Sequence, residues 1–211
     1  MLKSNFEDDL SNEVLLGKYL DSYYEQIFRD SSYSTKRIGD IGLQHRGVDV
    51  VLSTPNSIFY VDEKAQLDYL NHALPTFAFE LSYLKNGSWT KGWLFDKNKL
   101  TDIYFLITNI HTIHKNDLSK GLSKLKITGV YRNKLIDLLK KKGLNETRLY
   151  ELEKEFRARN KHGKIPVNEL DPKREGAFYF SKTNKNEQPM NLVLKLKFLI
   201  DNQAGKSIFS L

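Results

Sequence analysis

The chain has 211 residues, of which 40% are hydrophobic and 12% aromatic; it carries a formal net charge of +7 and contains no cysteine. That apolar content suffices for a folded core, and the missing cysteines exclude disulfides, thiolate metal sites, iron–sulfur clusters and cysteine nucleophiles. No apolar run reaches the roughly 18 residues of a membrane helix, and Met1 to Asp9 lacks the apolar stretch of a signal peptide. The expectation is a cytoplasmic protein with no membrane partner. Its positive balance favours a polyanion, because phosphate contacts release counterions.

Residues 10–29 predict a helix, with Leu16, Leu20, Tyr24 and Phe28 on one stripe and Tyr19, Tyr23 and Ile27 beside it. Ser11 or Asn12 would cap it. Residues 31–46 are polar, with Gly39 and Gly42, and read as a loop with a short strand. Two strands follow, Val48–Leu52 and Ile58–Lys64, separated by the turn residues Ser53 to Ser57. Further strands are expected at Thr76–Tyr83, Trp89–Leu94 and Ile103–Ile107, with a turn at Lys85–Ser88. From residue 115 the texture becomes basic. A short helix containing Leu135–Lys140 stops at Gly143, and a second runs from Asn145 to Asn160. The end predicts a hairpin, Gly176–Phe180 with Asn191–Ile200, around a Lys/Asn-rich turn. The division expected is a core over 1–114 and a basic helical segment with terminal hairpin over 115–211, packed on the core as one compact unit.

Asp49 interrupts an apolar strand, where an unpaired carboxylate is costly to desolvate. Thirteen residues later, Asp62-Glu63-Lys64 closes the next strand. Alternation puts Asp62 and Lys64 on one face and Glu63 on the other. If the strands pair around the Pro55–Ser57 turn, Asp49 meets Asp62 at the open end. Two carboxylates form an oxygen-rich site for Mg²⁺, which keeps part of its water shell. A neighbouring lysine stabilises charge building on a phosphate and helps orient the attacking water.

The order helix, Gly47-Val48-Asp49 strand, turn, Asp62-Glu63-Lys64 strand resembles the PD-(D/E)xK nucleases, which include restriction enzymes and Holliday-junction resolvases. The resemblance covers about residues 10–107. It implies an α/β (α+β) fold with a mixed sheet flanked by helices. It also implies Mg²⁺, or Mn²⁺ in its place, held by Asp49, Asp62 and the backbone carbonyl of Glu63, with Lys64 catalytic. Many members carry a glutamate early in the first helix. Glu13 lies on the Leu16 stripe and would point inward there, or else it is an acid favoured by the helix dipole. Gln66 matches a glutamine of some members and would contact metal-bound water or phosphate, or simply finish the strand. The implied function is metal-dependent cleavage of nucleic acid, DNA in preference to RNA, with a homodimer as a further expectation. The alternative is a non-catalytic nucleic-acid-binding or assembly protein.

Other features have blander readings. Glu80 is a second candidate ligand or an outward edge carboxylate. His111 and His114 would share a helix face as ligands or lie on the surface. Trp89 and Trp93 would stack on a base or pack in the core. Lys124, Lys126, Arg132, Lys134, Lys140 to Lys142, Arg157, Arg159, Lys161 and Lys164 form the best candidate phosphate-binding surface. No P-loop or Gly-x-Ser-x-Gly elbow is present. A carboxylate pair also serves glycosidases, but Lys64 and the positive charge favour phosphate chemistry.

Overall fold

A computed structural model describes residues 6–183 and 186–211, with side chains from Ser11 onward. The fold is mixed α/β, with strands in two sheets and interspersed helices. The chain divides into two units, one formed by residues 1–74, 101–129 and 207–211, the other by 75–100 and 130–206. This is not the expected division at 114/115. The boundary follows long-range strand pairing, which local composition does not reveal.

In the first unit, helix α1 (Phe6–Phe28) leads into β1 (Ser34–Arg37), the short helix α2 (Ile41–His45), β2 (Val50–Ser53) and β3 (Ile58–Ala65). Leu16, Leu20 and Tyr24 are buried, as the stripe predicts, whereas the helix starts well before Ser11. Tyr19 donates to the Leu118 carbonyl (3.0 Å), and the Tyr23 ring stacks on Phe209 at 5.0 Å. Residues 41–45, read as loop, become helical because Asp40 caps them, its carboxylate accepting from the Leu43 N–H at 2.8 Å.

β1, β2 and β3 form an antiparallel ladder, and β3 then runs parallel to a later strand, β6 (Ile103–His114). The sheet continues through β7 (Asp117–Tyr131) to the last strand of the chain, Gly205–Ser210. Both faces of β6 are buried over Ile103–Thr108, as a parallel-paired central strand requires.

The second unit holds β4 (Thr76–Lys85) and β5 (Ser88–Lys91), then α3 (Arg132–Lys141), α4 (Glu146–Arg159) and β8 (Gly163–Ile165). It is completed by β9 (Gly176–Phe180), β10 (Met190–Lys195) and α5 (Leu196–Asp201). Its sheet order is β5-β4-β10-β9-β8. α4 is capped at both ends: Asn145 accepts from the Arg148 N–H at 2.9 Å, and Asn160 ends it in the left-handed region at φ 55°. The β9–β10 hairpin pairs as expected, although β10 gives way to α5 at Leu196 instead of running to Ile200. Its Lys/Asn-rich turn lies partly outside the described residues. No helix among the described residues is long and apolar enough to cross a membrane.

Candidate active site

The β2–β3 register ends with Val50 opposite Val61, and the next residue back, Asp49, lies close enough to Asp62 to feel its charge. Asp49 sits at the bend just before β2, and its main chain is held on both sides. Its N–H donates to the Val61 carbonyl (2.9 Å), and its carbonyl accepts from the Ile38 N–H (2.8 Å). The bend is prepared by Gly47, whose φ of 74° suits a residue without Cβ and whose carbonyl accepts from the Thr101 hydroxyl at 2.9 Å.

Side chains alternate on β3 as the sequence predicts. Asp62 is 2% exposed and forms an ion pair with the Lys64 ammonium through Oδ1. Its Oδ2 is buried and accepts no hydrogen bond. Asp49 Oδ2 accepts from the Glu63 N–H (2.8 Å). Burial, reinforced by the negative charge of Asp62, pushes the Asp49 carboxyl up to about 7. Two carboxylates therefore face one another with a single ammonium beside them. The more accessible sides are those of Asp49 and Lys64, the latter side chain being 28% exposed.

Glu63 turns to the opposite face and enters a polar network with α1. Arg37 grips it with Nη1 at 2.7 Å and Nη2 at 3.1 Å, while Nε reaches both Asp21 oxygens at 2.8 and 2.9 Å. The Tyr24 hydroxyl donates to Glu63 at 2.5 Å. Burial alone would lower the Arg37 pKa, but the hydrogen bonds to Glu63 and Asp21 outweigh it and raise it. Burial, then the Glu63 charge, raises the Tyr24 phenol. Arg37→Ala strands Glu63 beneath α1 with Tyr24 as its remaining side-chain donor. The expected loss is about 2 kcal/mol in urea unfolding, typical of hydrogen bonds to charged groups; a loss under about 0.5 kcal/mol would make the network ornamental.

For the remaining expected site residues the placements vary. Glu13 is exposed, and α1 begins two turns before it; burial on its stripe starts only at Leu16. No cluster of three or more His, Cys, Asp or Glu able to hold a metal occurs among the described residues, so Glu13 does not complete a triad with Asp49 and Asp62. Gln66 follows β3 on the same ladder, its N–H donating to the Ile107 carbonyl at 3.0 Å. Glu80 lies on β4 of the second unit, where Gly92 packs so closely that a Cβ would meet the Glu80 carbonyl oxygen at 2.4 Å. His111 and His114 lie on a strand, where three-residue spacing points them to opposite faces.

The basic surface is also thinner than its sequence density suggests. Lys124 and Lys126 belong to the first unit and the rest to the second. The Arg132 guanidinium donates to the carbonyls of Leu94, Asp96 and Lys99 at 3.2, 2.7 and 3.3 Å. Arg157 donates to the Ser82 hydroxyl at 2.7 Å and lies 3.5 Å from the Trp89 ring centroid, covering one face of that ring. Lys142 and Arg159 pair with Glu175 and Glu155. Arg132 and Arg157 are structural first, whereas the Arg159 pair is exposed. Trp93, for its part, packs against Phe79 at 5.6 Å.

Arg37 is the residue the sequence reading missed. A basic residue in a short edge strand carries no local signal; only the pairing Arg37↔Val50 and the partner Glu63 reveal its use.

No protein-family model, curated protein or solved structure matches the chain.

The carboxylate pair fits a hard divalent cation on chemical grounds. Asp62 offers a buried oxygen without a hydrogen-bond partner, and Asp49 is an acid whose charged form is disfavoured by burial and by the charge of Asp62. Mg²⁺, which retains water ligands, accepts so small a protein donor set.

Proposed function

We propose that the chain is a metal-dependent nuclease of the PD-(D/E)xK kind that hydrolyses phosphodiester bonds in nucleic acid, DNA in preference to RNA, in the cytoplasm. The observation that carries this reading is the closeness of Asp49, just before β2, to Asp62 of β3, with the Lys64 ammonium on Asp62 and an Asp62 oxygen left without a donor. The parallel pairing of β3 with β6 beyond an antiparallel β1–β2–β3 ladder is in keeping with the mixed sheet that the resemblance implies.

Mg²⁺ or Mn²⁺ held at Asp49 and Asp62 would acidify water and neutralise charge on the phosphate. The chain's own part is to hold the geometry. The Glu63 N–H holds Asp49 through Oδ2, which leaves the other oxygen for a cation. Lys64 pairs with Asp62, and its ammonium would turn to the phosphate oxygens with a cation bound at the acids. Arg37 and Tyr24, by gripping Glu63, fix the strand on which Asp62 and Lys64 stand.

A second reading draws on the near-complete burial of Asp62: the acids and Lys64 are a structural ion cluster in a non-catalytic nucleic-acid-binding or assembly protein. Incubation of wild type and Asp62→Ala with linear, nicked, single-stranded and branched DNA separates the two. Metal-dependent cutting by wild type alone supports the nuclease. DNA affinity shared by both proteins, without cutting or metal binding, supports the second.

A further inference from the structure

The β2–β3 ladder also defines what lies next to Asp62 on the same sheet face. Side chains two apart share a face, so Ile58, Tyr60, Asp62 and Lys64 of β3 line up with Val51 and Ser53 of β2, with Asp49 at the bend just before them. The register Lys36↔Val51↔Tyr60 adds Lys36 from β1 to this face, while Arg37 belongs to the other. Exposure rises steadily away from the acids: Asp62 is 2% exposed, Tyr60 38% and Ile58 65%. Lys36 is exposed and forms no ion pair among the described residues.

Tyr60 is held as a platform. Its main-chain N–H donates to the Asp102 carboxylate at 2.8 Å and its carbonyl accepts from the Asp102 N–H at 2.9 Å, fixing the backbone beneath the ring. The ring stands two residues from Asp62, about 7 Å along the strand. Lys36 stands two strand spacings across, about 10 Å away, and its four-carbon stem covers a little over half of that distance. The face thus offers an acid pair, an aromatic ring and two separated cations, Lys36 and Lys64.

We infer that Tyr60 stacks on an unpaired base adjoining the phosphate presented to Asp49 and Asp62, with Lys36 holding the neighbouring backbone, so that the site takes a single strand or a frayed end in preference to an intact duplex. The inference rests on the proposed nuclease reading and names its substrate. In a duplex both faces of an internal base are covered by its neighbours; in a single strand each base can offer a π-face to an aromatic side chain. The paired cations match the charge of a strand laid across β1 to β3.

The test is fluorescence anisotropy in EDTA, where nothing is cut, with a labelled oligothymidylate and a hairpin duplex of the same length. Tyr60→Ala should weaken single-strand binding by about 5- to 150-fold, the range measured for one lost base–aromatic stack. Tyr60→Phe should bind as wild type, and duplex affinity should not change in either variant. Lys36→Ala should reduce the salt dependence of single-strand binding by about 0.7 in the log–log slope. Unchanged single-strand affinity in Tyr60→Ala, or an equal loss on both substrates, overturns the inference. Because the assay needs no catalysis, the two readings fail separately. Tyr60-dependent binding without any cutting with metal present upholds the platform and removes the nuclease. Cutting that persists while Tyr60→Ala binds normally does the reverse.

Discussion

Asp49→Asn is expected to make the metal-free protein more stable at pH 8 while abolishing its divalent-cation binding. The folded chain holds the Asp49 proton to about pH 7 through burial and the charge of Asp62, whereas the unfolded chain releases it near the usual 3.8. Between those values the folded form binds more protons than the unfolded form. Wild-type stability therefore falls as pH rises from about 4 to about 7, and the deficit stays in full above that. At about 1.4 kcal/mol per unit the ceiling is about 4 kcal/mol; sharing of charge with Asp62 and Lys64 brings the expected value nearer 1–3 kcal/mol. Asparagine carries no charge, and its Oδ1 can still accept the Glu63 N–H. Urea titrations at pH 5 and pH 8 should thus show the variant gaining on wild type at the higher pH only. Mg²⁺ should raise wild-type stability at pH 8 and leave the variant unmoved. Equal behaviour of the two proteins at both pH values would mean that Asp49 is not a strained acid waiting for a cation.

Lys64→Ala should separate binding from turnover in the opposite sense. Among the described residues the ammonium is the one cation paired with Asp62, so without it two neighbouring acids stand unneutralised. A metal ion then meets no internal competitor, and Mn²⁺ affinity by calorimetry should hold or rise. Cleavage should fall by about 10²- to 10³-fold, the usual cost of losing one preorganised electrostatic stabiliser. Its pattern differs from that of Asp62→Ala, in which affinity and cleavage vanish together. Loss of metal affinity in Lys64→Ala would instead assign the lysine a purely structural part.

Much of the site was legible because its elements are local. The apolar strands around Asp49 and Asp62, the Pro55–Ser57 turn and two-residue alternation together imply the register found. Helices α3 and α4 were equally readable, since Gly143 and Asn145 punctuate them. β7 was not. Its buried leucines fall at 118, 122 and 125, spacings of four and three that imitate a helix. The irregularity sits at Gly121, whose φ of 98° breaks strict alternation. At the other end, Leu192, Leu194 and Phe198 fit a long strand, but adjacent burial of Phe198 and Leu199 marks the turn into α5. Glu13 shows a different limit: helical angle fixes the direction of a side chain but not how far along the helix the packing extends. The interleaved units could not be read at all, because which segments pair is decided between residues far apart in sequence.

The final strand, Gly205–Ser210, adjoins β7, and here the Leu211 N–H donates to the Leu125 carbonyl at 2.8 Å. Ile208 packs 3.1 Å from where a Cβ on Gly129 would lie, and Phe209 stacks on Tyr23 of α1. During synthesis, then, the first unit waits for residues 207–211 after its other 103 positions have left the ribosome. Until they arrive, the outer side of β7 is a bare row of amides and carbonyls open to any other strand. Early self-association on the ribosome is the hazard of this chain order, and the exposed Lys120, Lys124 and Lys126 along β7 supply the charge that discourages it.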